Sequence, residues 1–330
     1  MREVLNKLFK YQSLSKNEAF EILSNLATGQ YNQSQMAAFL TVYLMRSITV
    51  EELEGFRDAM LELCVRVPVE DYNAIDLCGT GGDGKNTFNI STLSSFVVAG
   101  AGQAVTKHGN YGVSSVSGSS NVLESMGAKF TNDIDRIKKS LDESGICFLH
   151  APLFHPAMKN VGPVRRELGV KTFFNMLGPM VNPAFPKNQL VGVFSLELAR
   201  LYGYLYQNTD KNFAILHALD GYDEVSLTGS FKMITNSKEE VLNPSDLGFD
   251  RLKEEQLHGG DTVEEAAVIF KSVLENKGTE AQNQAVLANS GLAISVGKQI
   301  DILAGIAQAK ESLESGKALQ SFKKFIEINS

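Results

Sequence analysis

The chain has 330 residues, 43% hydrophobic and 21% charged, a composition that argues against disorder and leaves room for one large or two medium domains. Its net charge of −7 argues against a nucleic-acid surface, whose affinity comes largely from Lys and Arg contacts that release counterions, but leaves room for a local basic pocket. Three cysteines, Cys64, Cys78 and Cys147, lie far apart without CxxC spacing, which speaks against a zinc knuckle or a disulfide framework and for buried thiols in a reducing cytoplasm.

Met1 to Phe9 carries charge and lacks the apolar stretch of a signal peptide. Up to about residue 66 the chain reads as helices: Ser15 and Ser34 are candidate N-caps, and Phe20, Leu23, Leu26, then Phe39, Leu40, Tyr43, Leu44 recur at three- and four-residue spacing. The character changes near Pro68, and Ala74 to Cys78 reads as a short buried strand running into a glycine-rich loop. Alternation follows: a helix at about 92–101, a strand at Gln103 to Lys107, helices at about 120–126 and 133–144, and a strand at Ile146 to Leu149. Such alternation predicts a mainly parallel α/β sheet. Residues 156–180 turn helical, strands are expected at Leu190 to Phe194 and Phe213 to Leu216, and the chain is helical after about 262. Apolar runs such as Phe96 to Gly102 are too short to span a bilayer, so no membrane segment is expected.

The loop Gly79-Thr80-Gly81-Gly82-Asp83-Gly84-Lys85-Asn86-Thr87 fits two well-known patterns incompletely. Gly79, Gly81 and Gly84 spell a dinucleotide fingerprint, yet the next strand ends in Lys107 rather than an acidic residue. As a nucleotide P-loop it has Asn86 where the Mg²⁺-ligating hydroxyl belongs. What remains is a loop able to offer several peptide N–H groups to an anion, or simply a tight turn. Asn89-Ile90-Ser91-Thr92 adds an amide and two hydroxyls at the start of the next helix, where free amides and the dipole favour phosphate; capping by Ser91 is the competing role. A second loop, Lys107-His108-Gly109-Asn110 with Tyr111, Gly112, Ser114, Ser115 and Ser119, follows the next strand. Loops after successive parallel strands meet at the carboxyl edge of the sheet, so the two together suggest one long, highly charged substrate.

These segments, with Arg165-Arg166-Glu167-Leu168-Gly169 and Asp223-Glu224 in the same order and spacing, resemble the anthranilate phosphoribosyltransferases over nearly the whole chain. The resemblance implies transfer of the phosphoribosyl group of phosphoribosyl pyrophosphate (PRPP) to anthranilate in tryptophan biosynthesis. It implies an α/β fold of the nucleoside phosphorylase/phosphoribosyltransferase type: a small helical domain, residues 1–68 with about 165–185, which forms a homodimer, and a larger α/β domain with a mainly parallel sheet, residues 69–164 and 186–330, with PRPP in the cleft between them. In this reading Gly79, Gly82, Asp83, Thr87, Asn89, Ile90, Ser91, Thr92, Lys107, His108, Gly109, Asn110, Ser114, Ser115 and Ser119 wrap PRPP. Ser91, Asp223 and Glu224 hold Mg²⁺, two ions per subunit; Gly79, Asn110 and Arg165 contact anthranilate; Lys107, Asp223 and Glu224 are the catalytic set. Tyr111, Gly112, Val116 and Met158 depart from the family's usual Arg, Ala, Lys and aromatic.

Read by themselves, Asp223-Glu224 could be a solvated turn and Arg165-Arg166 surface charges. His108, His150 and His155 lack the spacing of a zinc quartet, leaving ring packing or structural hydrogen bonding. Two rival readings are a pyrimidine-nucleoside phosphorylase, which would not need the acidic pair, and a non-catalytic nucleic-acid-binding relative, which would need a basic face. Association with other subunits of the pathway is left open.

Overall fold

The computed structural model describes residues 1–112 and 116–330; Ser114 and Ser115 lie outside the described residues. The chain divides into two compact units, Met1–Arg66 with Pro152–Pro183, and Val67–Ala151 with Ala184–Ser330. For the second helical stretch the sequence suggested about 165–185. No helix among the described residues is long and apolar enough to cross a membrane.

The smaller unit is helical. Lys16–Ala27, Gln33–Met45 and Val50–Glu62 each begin with a reciprocal cap, Ser15/Glu18, Asn32/Gln35 and Thr49/Glu52. The cap of the second is Asn32 rather than Ser34, because only Asn32 has a glutamine three residues on to answer it. Phe39, Tyr43, Phe56, Phe173 and Phe174 form a chain of ring contacts in its core. Met158–Leu168 closes the unit and ends at Gly169 in the left-handed conformation.

Beside the rings lies a buried ionic hub. Glu52, fully buried, receives both Arg46 guanidinium nitrogens, Tyr43 Oη at 3.1 Å, Leu14 N–H at 2.9 Å and Thr49 N–H at 3.0 Å. Burial by itself pushes its carboxyl pKa up, but Arg46 and the two backbone donors outweigh that and hold it below its ordinary value. Glu52→Gln should therefore destabilise the protein by about 1.5–3 kcal/mol in urea unfolding near neutral pH, since the partly buried Arg46 guanidinium loses its carboxylate. A depressed folded pKa contributes stability above the unfolded value, about 4.3, which is lost as pH falls through the folded one. The gap between wild type and variant should thus close in acid; a gap unchanged by pH would mean the charge on Glu52 is not what matters.

The larger unit is built on one seven-stranded sheet of β1 (Ile75–Gly79), β2 (Val105–Gly109), β3 (Ile146–His150), β4 (Asn188–Gly192), β5 (Asn212–Ala218), β6 (Phe231–Thr235) and β7 (Glu239–Leu242), in the order β3-β2-β1-β4-β5-β6-β7. The pairs from β3 through β5 are parallel and the last two antiparallel. Helix Ile90–Gly100 is apolar nearly all round and correspondingly buried, with Phe96 against Phe270, Phe322 and Phe325 of the C-terminal helices. The chain turns from β1 to β2 on one side and reaches β4 on the other, so β1 and β4 flank the point where strand order reverses. In open α/β sheets the ligand crevice forms there, beyond the carboxyl ends of the strands.

Candidate active site

β1 delivers the glycine loop to that point. Gly81, Gly82 and Gly84 have φ of +66°, +78° and +78°, a left-handed run that glycine adopts without strain and that suits peptide N–H groups to an anion. Lys85, the lysine of the incomplete P-loop match, is held elsewhere: its Nζ pairs with Glu254 at 2.9 Å and sits over the Tyr222 ring at 4.5 Å. The next helix starts at Ile90, well past the turn of a dinucleotide fold. Among the described residues no side chain caps it, and the Asn89 amide nitrogen donates to Ser117 O at 2.9 Å. Beyond Ile90, whose N–H turns back to Phe88 O, the amides of its first turn are left for another acceptor. Ile90 and Thr92 are buried, and the Ile90 N–H already donates to Phe88 O at 2.6 Å, so of the two it is Thr92 whose peptide N–H suits a phosphate.

Ser91 is not a cap. Its hydroxyl accepts from Lys107 Nζ at 3.3 Å, and the same ammonium donates to Leu77 O at 2.5 Å. Lys107 is only 2% exposed, so it works from beneath Ser91, not from the surface of a pocket. Burial pulls its pKa below the ordinary lysine value, with Asp76, Cys78 and the acidic pair pulling the other way. Next to it, Asp76 accepts from the His108 N–H at 3.2 Å. Gly109 is required by Ser119, whose Oγ would lie 2.5 Å from an added β-carbon and donates to Asn110 O at 3.2 Å.

Asp223 and Glu224 follow β5 and fold back over the switch point. Asp223 Oδ2 accepts from Gly81 N–H at 2.6 Å, and Glu224 Oε1 from Thr87 Oγ1 at 2.8 Å. The approach needs two glycines: a β-carbon at Gly79 would lie 2.3 Å from Asp223 Oδ2, and one at Gly192 would lie 1.4 Å from the Asp223 carbonyl oxygen. Burial, then Asp83 for Asp223 and Asp223 for Glu224, hold both carboxyls above their ordinary range. Such a pair is short of positive charge. Gly79, Ser91, Asp223 and Glu224 line one small cavity of about 20 Å³ together with Ser94 and Asn289. Among the described residues no group of three or more His, Cys, Asp or Glu is arranged to hold a metal ion by itself. That donor set, two carboxylates and a hydroxyl, suits hard Mg²⁺, which normally takes one or two carboxylates and completes its shell with water and substrate phosphates.

The histidines do not gather. His150, on β3, bonds Ser120 Oγ at 2.9 Å and is stacked on Phe130 at 4.7 Å, and Tyr111 meets it edge-on at 4.9 Å while its hydroxyl reaches Glu124 at 3.3 Å. Tyr111 is thus used structurally. Arg165, in the helical unit, is half-buried; it donates to Asn175 Oδ1 at 3.2 Å, lies over the Phe174 ring at 5.2 Å, and forms no ion pair with a carboxylate among the described residues. Gly192 and Asn289 went unseen in the sequence reading. A glycine inside the apolar run 190–194 and an asparagine inside an Ala-rich helix were their signals.

The chain matches the glycosyl transferase family, with the helical bundle domain at residues 2–64 and the a/b domain at residues 71–319. Anthranilate phosphoribosyltransferase of Christiangramia forsetii is 63% identical over 329 residues, covering 100% of this chain and 99% of the relative, and that of Flavobacterium johnsoniae is 61% identical with 100% of both covered. The chain belongs to the anthranilate phosphoribosyltransferase family. Among solved structures, anthranilate phosphoribosyltransferase from Thermus thermophilus superposes with a TM-score of 0.92 at 32% identity, over 98% of each chain. The Saccharomyces cerevisiae anthranilate phosphoribosyltransferase in complex with PRPP and Mg gives 0.90 at 28% identity, over 98% of this chain and 96% of that one.

Proposed function

We propose that this protein transfers the 5-phosphoribosyl group of PRPP to the amine of anthranilate, giving N-(5-phosphoribosyl)anthranilate and pyrophosphate. The observation that carries the reading is the meeting, at one sheet edge, of an anion-ready glycine loop and uncapped helix with a charge-starved acidic pair. A phosphorylated sugar with a pyrophosphate arm calls for both.

Substitution at C1 of the ribose needs a leaving group relieved of its charge and a nucleophile held on the opposite face. An aromatic amine attacks in its neutral form and sheds its proton afterwards, so positioning and electrostatics suffice without a strong base. The glycine loop, Asn89 to Thr92, and the Lys107 to Asn110 segment with Ser114, Ser115 and Ser119 bind PRPP in this reading. Ser91, Asp223 and Glu224 hold Mg²⁺, two ions per subunit, and Lys107 places a buried positive charge behind Ser91. When bound, Mg²⁺ supplies the positive charge that departing pyrophosphate requires.

Arg165, with Asn110 and Gly79, receives the acceptor. Anthranilate differs from aniline by one ortho carboxylate, and a desolvated guanidinium without an acidic partner among the described residues is suited to grip it. The charge-assisted bond should contribute about 1.5–3 kcal/mol. Arg165→Ala should therefore lower kcat/KM for anthranilate by about 10- to 100-fold and leave the KM for PRPP little changed. Arg165→Lys should recover part of it, since an ammonium cannot match the fork. Steady-state constants for both substrates check this, and a loss shared equally with PRPP would put Arg165 on the phosphate side.

The helical unit exposes Phe9, Tyr11, Leu44 and Met45, and we assign this unit to a homodimer contact, to be checked by sedimentation equilibrium. For the activity itself, the protein is incubated with PRPP and Mg²⁺ plus anthranilate, or with thymidine plus phosphate. Consumption of anthranilate alone is expected; phosphorolysis of thymidine would favour a nucleoside phosphorylase instead.

A further inference from the structure

Helix Glu280–Lys298 carries a buried polar residue, Asn289, 4% exposed. Its side chain grips the peptide that follows the acidic pair. Val225 N–H donates to Asn289 Oδ1 at 3.1 Å, and Asn289 Nδ2 donates to Val225 O at 2.8 Å. The other amide hydrogen goes to Ala285 O, 2.9 Å away on its own helix. Both hydrogens and the oxygen are engaged, so the amide has one orientation and no rotamer that keeps all three bonds otherwise.

The segment it holds belongs to no strand. β5 ends at Ala218 and β6 begins at Phe231, so residues 223–225 have no ladder to fix them. Close packing of the Asp223 carbonyl on Gly192 restrains the segment from one side, and Asn289 restrains it from the helix side. Asn289 also lines the small cavity shared by Ser91, Asp223 and Glu224. An apolar side chain would suit a buried helix better unless the amide had a task.

We propose that Asn289 is a positioning residue for the Asp223–Glu224 pair: its two-point grip on the Val225 peptide fixes where the two carboxylates point. This rests on the assignment of that pair to Mg²⁺ and pyrophosphate. Supporting groups one step removed from a metal typically change affinity or activity by 10- to 100-fold when lost.

The test uses Asn289→Ala, and Asn289→Ser, which keeps a polar group in the buried site but is too short to grip the Val225 peptide, in case the alanine variant does not fold. Folding is read from thermal unfolding, Mn²⁺ binding in the presence of inorganic pyrophosphate from the paramagnetic resonance of free Mn²⁺, and KM for each substrate from steady-state rates. The expected result is a folded variant whose Mn²⁺ affinity falls about tenfold or more, with a matching rise in the Mg²⁺ needed for half-maximal rate and little change in the KM for anthranilate. Serine, which cannot make the two-point grip, should show the same loss as alanine. Unchanged Mn²⁺ affinity in a folded variant, or an equal loss toward anthranilate, would overturn the inference. Asp223→Asn with Glu224→Gln runs alongside: if that double variant also binds Mn²⁺ normally, the metal assignment itself has failed, whereas a normal Asn289 variant beside a defective double variant removes only the positioning role.

Discussion

Replacing the acidic pair, Asp223→Asn with Glu224→Gln, is expected to lower turnover by roughly 10³-fold or more while the fold stays intact. The fold survives because the hydrogen bonds survive: an amide oxygen can still accept from Gly81 N–H and from Thr87 Oγ1, as the carboxylates do now. Turnover does not, because a neutral amide no longer attracts the cations that departing pyrophosphate needs. The stability of the metal-free protein gives an independent reading. Both carboxyls have folded pKa values raised by burial and by neighbouring carboxylates. Groups of this kind add stability fully below the unfolded value, about 4, and that contribution is lost as pH rises through the folded value. Without Mg²⁺, the wild type should therefore become less stable as pH climbs from the ordinary carboxylate range upward, a slope the double variant lacks. Near-normal turnover of the variant at saturating Mg²⁺ would contradict the assignment.

The second large effect is expected at Lys107. Lys107→Met keeps much of the side chain's bulk but removes its charge, and should lower kcat/KM by roughly 10²-fold or more, about 2.7 kcal/mol of transition-state stabilisation. The ammonium is enclosed between Leu77 O and Ser91 Oγ, and at low dielectric its charge is felt more strongly than it would be in water. Burial also lowers its pKa, so the alkaline loss of activity should begin below the range of an ordinary lysine and be absent from the residual activity of the methionine variant. A change of only a few-fold in kcat/KM would leave Lys107 a structural residue.

Much of the fold was legible because its signals are local. The apolar run at Ile75, the glycines after it, and the Ala-rich stretch that becomes Glu280–Lys298 each declare their element from neighbours in sequence. Strand ends shifted where backbone bonds decide: the strand read from Gln103 starts at Val105, because the Gln103 N–H turns back to Val98 O at 3.2 Å at the end of the preceding helix. The β6–β7 hairpin was not read at all. Its strands mix Lys232, Glu239 and Glu240 with apolar residues, and β7, the outer one, lies half-exposed at the end of the sheet. At the site, the loop and the acidic pair could be found by motif, but their reason for meeting could not. Gly192 and Asn289 are distant in sequence and take their meaning from a backbone that passes between them. Lys107 was read among the residues that wrap PRPP; what the sequence did not show is that its ammonium is enclosed, bonded to Leu77 O and Ser91 Oγ.

The most direct measurement is the stoichiometry of one reaction: purified protein with PRPP, Mg²⁺ and anthranilate, following the fluorescence of anthranilate and the release of pyrophosphate together. Equal amounts of anthranilate consumed and pyrophosphate released, dependent on Mg²⁺ and lost in the Asp223→Asn, Glu224→Gln variant, are expected. Release of pyrophosphate without consumption of anthranilate, or no reaction of anthranilate at any concentration of PRPP and Mg²⁺, would contradict the proposed transfer.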